Sequence, residues 1–153
     1  MDPKDIVIER VTTFSKETVA AVAKFVSLLS KHAQPFTDES LQEIINSPQS
    51  FLFIARHTPT QEIAGMIMET IYRIPDTKKA YIDDLYIDEK FRKMGIATKL
   101  MQQVVATAKE QNAVYVAFTS RPDRVAGNTL YQKLGFTQHE TNNYRLYLNH
   151  EEV

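Results

Sequence analysis

Two stretches of the sequence bring together residue types that bind anions or move protons. The first runs Asp88-Glu89-Lys90-Phe91-Arg92-Lys93-Met94-Gly95-Ile96-Ala97-Thr98. It joins a β-type run, Ala80 to Ile87, to apolar residues at helical spacing, so a tight loop opens onto a helix N-terminus. The first N–H groups of a helix have no intrahelical partner and lie at the positive end of its dipole, which suits them to a phosphate group without any net positive charge. Gly95 lets the backbone approach a ligand closely, Ala97 is small enough to leave the same room, Thr98 adds a hydroxyl donor, and Arg92 and Lys93 add charge. The second stretch runs from Ser120 to Phe136. On a helix, Arg124, Asn128 and Tyr131 follow i, i+4, i+7 spacing and share one face, while Ala126, Leu130 and Leu134 form a separate apolar stripe. One face packs and the other is free to bind. Taken singly, the same residues also suit a plain turn and a solvated helix face.

The elements that must position these residues are legible in the periodicity. Ile6 to Val11 reads as a strand, and Lys16 to Ser30 carries Val19, Val22, Ala23, Val26 and Leu29 at helical spacing. After the break at Pro35, Asp38 opens a second, short helix with an acidic start that stops near Pro48. Phe51 to His57 and Ile63 to Tyr72 form an antiparallel hairpin across Thr58-Pro59-Thr60-Gln61, and Ala80 to Ile87 continues it as a meander. Gly95 to Gln111 places Ile96, Ala97, Leu100, Met101, Val104, Val105 and Ala108 on one helical face. Ala113 to Thr119 is nearly all apolar, as in a strand covered on both faces. Arg124 to Leu134 is a last helix ended by Gly135, and Phe136 to Gln138 and Tyr144 to Leu148 supply two closing strands. The order is that of one α+β layer structure with helices packed on a mixed sheet.

Composition limits what such a structure does. The 153 residues fit one compact domain, and 43% hydrophobic with 24% charged residues is the make-up of a globular chain. Eighteen basic against nineteen acidic residues leave a net charge of -1, which gives no bulk attraction to nucleic acid or to an anionic membrane. No apolar run reaches a membrane span, and Met-Asp-Pro-Lys-Asp does not begin a signal peptide, so a cytoplasmic location is expected. The absence of cysteine excludes disulfides, thiolate metal sites and a cysteine nucleophile. His32, His57, His139 and His150 share no metal-ligand spacing, and no metal is expected.

Together the two stretches resemble a known family. Arg92-Lys93-Met94-Gly95-Ile96-Ala97 matches the Arg/Gln-x-x-Gly-x-Gly/Ala acetyl-CoA signature of the GNAT superfamily of N-acetyltransferases. Ile82-Asp83-Asp84-Leu85-Tyr86-Ile87 is similar to the strand that precedes it there, and Asn128-x-x-Tyr131-x-x-x-Gly135-Phe136 resembles the last conserved block. The resemblance covers about residues 51 to 148 strongly and the first 50 only in element order. It implies one acetyltransferase domain over 1–153, of three-layer α/β/α type, with a mixed sheet of about seven strands, four helices and a splayed cofactor cleft. It also implies acetyl-CoA as acetyl donor. In this reading Leu85 and Ile87 make strand-like hydrogen bonds to pantetheine, and Arg92, Lys93, Met94, Gly95, Ile96, Ala97 and Thr98 surround the pyrophosphate. Asn128 holds the pantetheine arm and Tyr131 places its hydroxyl near the sulfur.

The implied reaction is direct attack of an unprotonated primary amine, on a small molecule or peptide, at the acetyl thioester in a ternary complex. The backbone N–H of Tyr86 is the candidate for the oxyanion and Tyr131 for the proton donor to the thiolate. Asp83 and Asp84 are neighbours on a strand and point to opposite faces. Asp83, sharing a face with Tyr81, Leu85 and Ile87, is the candidate base, working through a water because it is shorter than the Glu common in the family; Glu69 is its rival. Gly127 stands where relatives often carry Ala, which suggests either a late helix start or close approach of backbone to the donor. A homodimer is compatible with the resemblance. The competing expectation is a catalytically silent module that binds or senses CoA.

Overall fold

A computed structural model of the protein describes residues 2–148, so His150 lies outside the described residues. The chain divides into two compact units, one up to Phe118 and one from Thr119 onward.

The first unit is built on one sheet. Strands β1 (Ile6–Arg10), β2 (Ser50–His57), β3 (Glu62–Arg73), β4 (Lys78–Ile87) and β5 (Val116–Ala117) lie in that order. All neighbours are antiparallel except β4 and β5, which are parallel, so the sheet is mixed. Helices α1 (Lys16–Leu29) and α2 (Asp38–Asn46) cover one face. Val22, Phe25 and Leu41 pack there on Leu52, Ile54, Ile63 and Met66. Helix α3 (Ile96–Glu110) packs across β1 to β4 on the other face and buries Ile96, Leu100, Met101, Val104 and Ala108. Three layers therefore form because β2 and β3 carry apolar residues on both faces, while each helix offers a single apolar stripe.

Capping separates the helices. Ser15 accepts from Thr18 N–H at the start of α1, and Thr37 and Ser40 form a reciprocal capping box at the start of α2. Helix α3 begins at Gly95, in the left-handed conformation at φ +73°, with no side-chain cap.

The second unit holds helix α4 (Val125–Lys133). Gly135, at φ +95°, ends it. Its N–H donates to the Gln132 carbonyl and that of Phe136 to the Tyr131 carbonyl, the paired bonds of a Schellman ending.

Among the described residues the sheet has five strands, which corrects the expectation of about seven. Phe136 to Gln138 and Tyr144 to Leu148 form no strand. Tyr144, Leu146 and Leu148 alternate as strand residues do, but all three are exposed, and a period-two pattern supplies side chains for a strand without supplying its ladder. The expected strand over 113–119 is likewise reduced to Val116 and Ala117, with Val114 and Tyr115 exposed rather than covered.

Candidate active site

The long strand β4 outruns its parallel partner. Ala80 pairs with Val116 and Tyr81 with Ala117, and no pairing of β4 with β5 follows. Residues 82–87 thus keep one edge off the ladder, the arrangement expected where a ligand is to take the place of a strand.

On its other side β4 pairs with β3 through a bulge. Asp83 lies opposite Met68 and Tyr86 opposite Met66, so β4 advances three residues while β3 advances two. The extra turn of backbone falls at Asp84, whose φ is +52°, a left-handed conformation that Asp tolerates better than most residues. The bulge corrects the face expected for Asp83. Tyr86, not Leu85 or Ile87, joins Asp83 and Tyr81 on the α1–α2 side, where its ring lies 5.2 Å from that of Phe25. Ile87, opposite Gly65, falls on the α3 face.

Beyond the bulge the ladder regains its alternation. Asp88 N–H donates to the Ala64 carbonyl at 2.8 Å, which makes that pair, and by period two the Tyr86–Met66 pair, the hydrogen-bonded ones. Tyr86 therefore turns its amide toward β3. Ile87 turns away from β3, and its carbonyl accepts from Arg92 Nε at 3.3 Å.

The loop from Asp88 to Gly95 is pinned from several sides. Asp88 pairs with Lys24 at 2.9 Å and Lys90 pairs with Glu62. Phe91 is buried with its ring 5.1 Å from that of His57, and Met94 is buried too. Lys93 and Gly95 are both left-handed, at φ +65° and +73°. Left-handed residues set one apart in a turn of this kind aim backbone N–H groups into a concavity that suits an anion. A side chain at Gly95 would meet no atom within 4 Å, so glycine is required by conformation there and the space beyond is open. Lys99 N–H donates to the Gly95 carbonyl, leaving the N–H groups ahead of it without intrahelical partners. The uncapped terminus, two cationic side chains and the open space fit a diphosphate.

The carboxylates differ sharply. Asp83 and Asp84 are exposed, yet the surrounding protein holds both carboxyls above the ordinary range, and the charge of Asp84 adds to the effect on Asp83. Glu69 is wholly inaccessible, neither of its oxygens has a hydrogen-bond partner, and burial pushes it up to about 8. It pairs in register with Phe51, one residue out of phase with Leu52 and Met68 of the α1–α2 side, so it stands on the opposite face of the sheet from Asp83, which pairs with Met68. Glu69 is not placed to take a proton on the Asp83 side.

In the second unit Asn128 donates its amide to the Arg121 carbonyl at 3.0 Å, ordering the loop ahead of α4. Burial raises the Tyr131 phenol, against an opposing effect of the Arg124 charge. The Tyr131 ring lies over Gly127, where an added methyl would stand 3.5 Å from it in ordinary contact.

A model of the acetyltransferase (GNAT) family matches residues 22–136. The chain belongs to that family. This GNAT acetyltransferase is 29% identical over 108 residues to an aminoglycoside N(6')-acetyltransferase type 1 from Acinetobacter genomosp. 13, covering 67% of this chain and 72% of that protein. It is 27% identical over 117 residues to N-alpha-acetyltransferase 30 of Schizosaccharomyces pombe, covering 76% and 77%. A crystal structure of an acetyltransferase from Trypanosoma brucei has the same fold, with a TM-score of 0.76 at 20% identity over 94% of this chain and 100% of that one. Among the described residues no helix of this acetyltransferase is long and apolar enough to cross a membrane, and no group of three or more His, Cys, Asp or Glu residues is placed to hold a metal ion.

Two features of the site escape sequence reading. The bulge leaves no distinct mark, because Tyr81 to Ile87 contains neither glycine nor proline and reads as one uninterrupted strand. Gly65 sits inside an apolar β-rich run and carries no motif, although a glycine within a strand is itself a signal of close backbone approach.

Proposed function

We propose that the chain transfers the acetyl group of acetyl-CoA to a primary amine of a small molecule or peptide, and that residues 1–153 form one acetyltransferase domain. The observation that carries this reading is the uncapped α3 N-terminus with left-handed Gly95, set at the end of a β4 edge that has left its parallel partner. The family match runs through residues of both compact units. Both relatives named above take their names from a nitrogen position, which supports an amine acceptor of either size.

The donor supplies an activated acyl carbon and a leaving thiolate. Arg92, Lys93 and the backbone N–H groups of residues 93–98 hold its phosphates, a role in which Met94, Gly95, Ile96, Ala97 and Thr98 act chiefly through their amides. Leu85 and Ile87 align its arm along the open edge of β4, and Asn128 supports it. The ladder turns the Tyr86 amide toward Met66, so the donor to the oxyanion is assigned to Leu85, which follows Asp84 in the bulge, and Tyr86 serves by fixing the bulge through its ring contact with Phe25. Asp83, raised above the ordinary carboxylate range, takes a proton from the ammonium through a water. Tyr131, whose pKa is raised, keeps its proton at neutral pH and gives it to the leaving sulfur.

Release of CoA thiol from acetyl-CoA, followed with a thiol reagent across a panel of primary amines, tests this. The enzyme contributes no background because it has no cysteine. Amine-dependent turnover is expected, and Tyr131→Phe should lower it about a hundredfold while leaving acetyl-CoA affinity within twofold. Unchanged turnover would remove Tyr131 from the mechanism. Binding of acetyl-CoA with no turnover on any amine would support a silent CoA-binding module instead.

A further inference from the structure

Gly65 is buried in the middle of the sheet, opposite Ile87, at the first pairs that β3 and β4 make after the bulge. Its φ is outside the left-handed region, so the backbone there suits any residue. Space is what excludes a side chain. A methyl group on Gly65 would stand 2.9 Å from the Tyr86 carbonyl oxygen, 2.9 Å from Ile87 Cδ1 and 3.5 Å from Ile87 Cα. The Ile87 methyl can rotate away. The Tyr86 oxygen is backbone, so only a movement of β4 relieves that contact.

We infer that Gly65 is a positioning residue: its bare backbone lets Tyr86 and Ile87 close against β3, and that closure holds the bulge residue Leu85 and the open edge of β4 in place. The inference rests on the reading that this edge receives the acetyl donor. The Tyr86 oxygen lies in the first hydrogen-bonded pair beyond the bulge, with Met66, and Asp88 N–H to the Ala64 carbonyl is the next. A side chain at position 65 would press on the first of these two anchors, and the adjoining bulge, whose Asp84 and Leu85 have no partner in the register, would move with it. Gly65 acts through Tyr86 and touches no reactant.

The test compares the wild type with Gly65→Ala, with Gly65→Ala/Ile87→Val and with Val22→Ala, a core variant on the α1–α2 side that loses stability without touching β4 crowding. Calorimetry with acetyl-CoA gives Kd, and amide hydrogen exchange reports on the peptide covering residues 82–88. Gly65→Ala should weaken acetyl-CoA at least tenfold and speed exchange in that peptide, whereas Val22→Ala should keep Kd within twofold. Ile87→Val removes the Cδ1 contact but not that with the Tyr86 oxygen, so the double variant should regain part of the melting temperature and little of the affinity. A Kd for Gly65→Ala within twofold of the wild type, or full recovery in the double variant, would overturn the inference. If the wild type binds no acetyl-CoA, the site reading fails, and unchanged exchange in Gly65→Ala would then sink the positioning role on its own evidence. Should Gly65→Ala not fold, the double variant is read in its place; if neither folds, Gly65 serves stability and the positioning role is wrong.

Discussion

Replacing Glu69 with Gln should make the acetyltransferase more stable, and increasingly so as the pH rises. In the folded protein both Glu69 oxygens are buried without partners, and the carboxyl is pushed up to about 8 from an ordinary 4.5. The unfolded chain releases this proton near 4.5 and the folded protein keeps it until about 8. Through that window the folded state binds more protons than the unfolded one, so stability falls as pH rises and the loss is complete above about 8. At about 1.4 kcal/mol for each pH unit the gap amounts to a loss on the order of 5 kcal/mol, a large share of a typical 5–15 kcal/mol stability. Glutamine buries a neutral amide where a neutral acid stood, so near pH 4.5 the two proteins should differ by less than about 1 kcal/mol. Near pH 8.5 the variant should melt roughly 10 to 20 °C higher, on a scale of about 2–4 °C per kcal/mol. Chemical denaturation of both proteins at half-unit steps from pH 4.5 to 9 gives the difference curve directly, and subtraction removes the contributions of Asp83, Asp84, Asp88 and Glu62. Parallel curves, with no widening gap above pH 5, would refute the claim that Glu69 is a buried and unpartnered acid.

Two further perturbations bear on the site. Asp83→Asn should cost about a hundredfold in turnover and leave acetyl-CoA affinity nearly unchanged. In the wild type kcat/KM should fall with acid through a pKa above the ordinary carboxylate range, since the protonated form of Asp83 cannot act as base; persistence of that limb in the variant would assign it to another group. Gly127→Ala should stabilise the protein by about 0.5–1 kcal/mol, because the methyl makes only ordinary contact with Tyr131 within α4. Urea denaturation measures this, and weaker acetyl-CoA binding would show instead that the donor approaches the backbone at Gly127.

What was legible in the sequence was what local chemistry decides. Four helices, the β2–β3 hairpin and the continuation into β4 follow from periodicity, and the end of α4 follows from Gly135. The segment from Arg92 to Thr98 could be read because a glycine before an apolar helix states its conformation in its own residue type. Features that depend on a partner were not legible. The bulge at Asp84 exists only relative to β3, and it alone moves Tyr86 onto the Asp83 side. Glu69 shares a strand face with Ile67 and Ile71, and only the packing over that face makes it a buried acid. Tyr144 to Leu148 has the alternation of a strand and no ladder, and Val114 and Tyr115 are as apolar as core residues yet lie exposed.

The central claim, that the start of α3 beside the open edge of β4 holds acetyl-CoA, is tested most directly by the thermal shift of the purified protein with acetyl-CoA. Gly95→Glu, read from its own baseline, places a carboxylate into the open space over the α3 N-terminus. Donor at about 100 times its Kd adds roughly 2.7 kcal/mol, a rise of roughly 5–10 °C for a chain of this size. That rise is expected in the wild type and its loss in Gly95→Glu. A folded wild type that does not shift, or an equal shift in the variant, would contradict the claim.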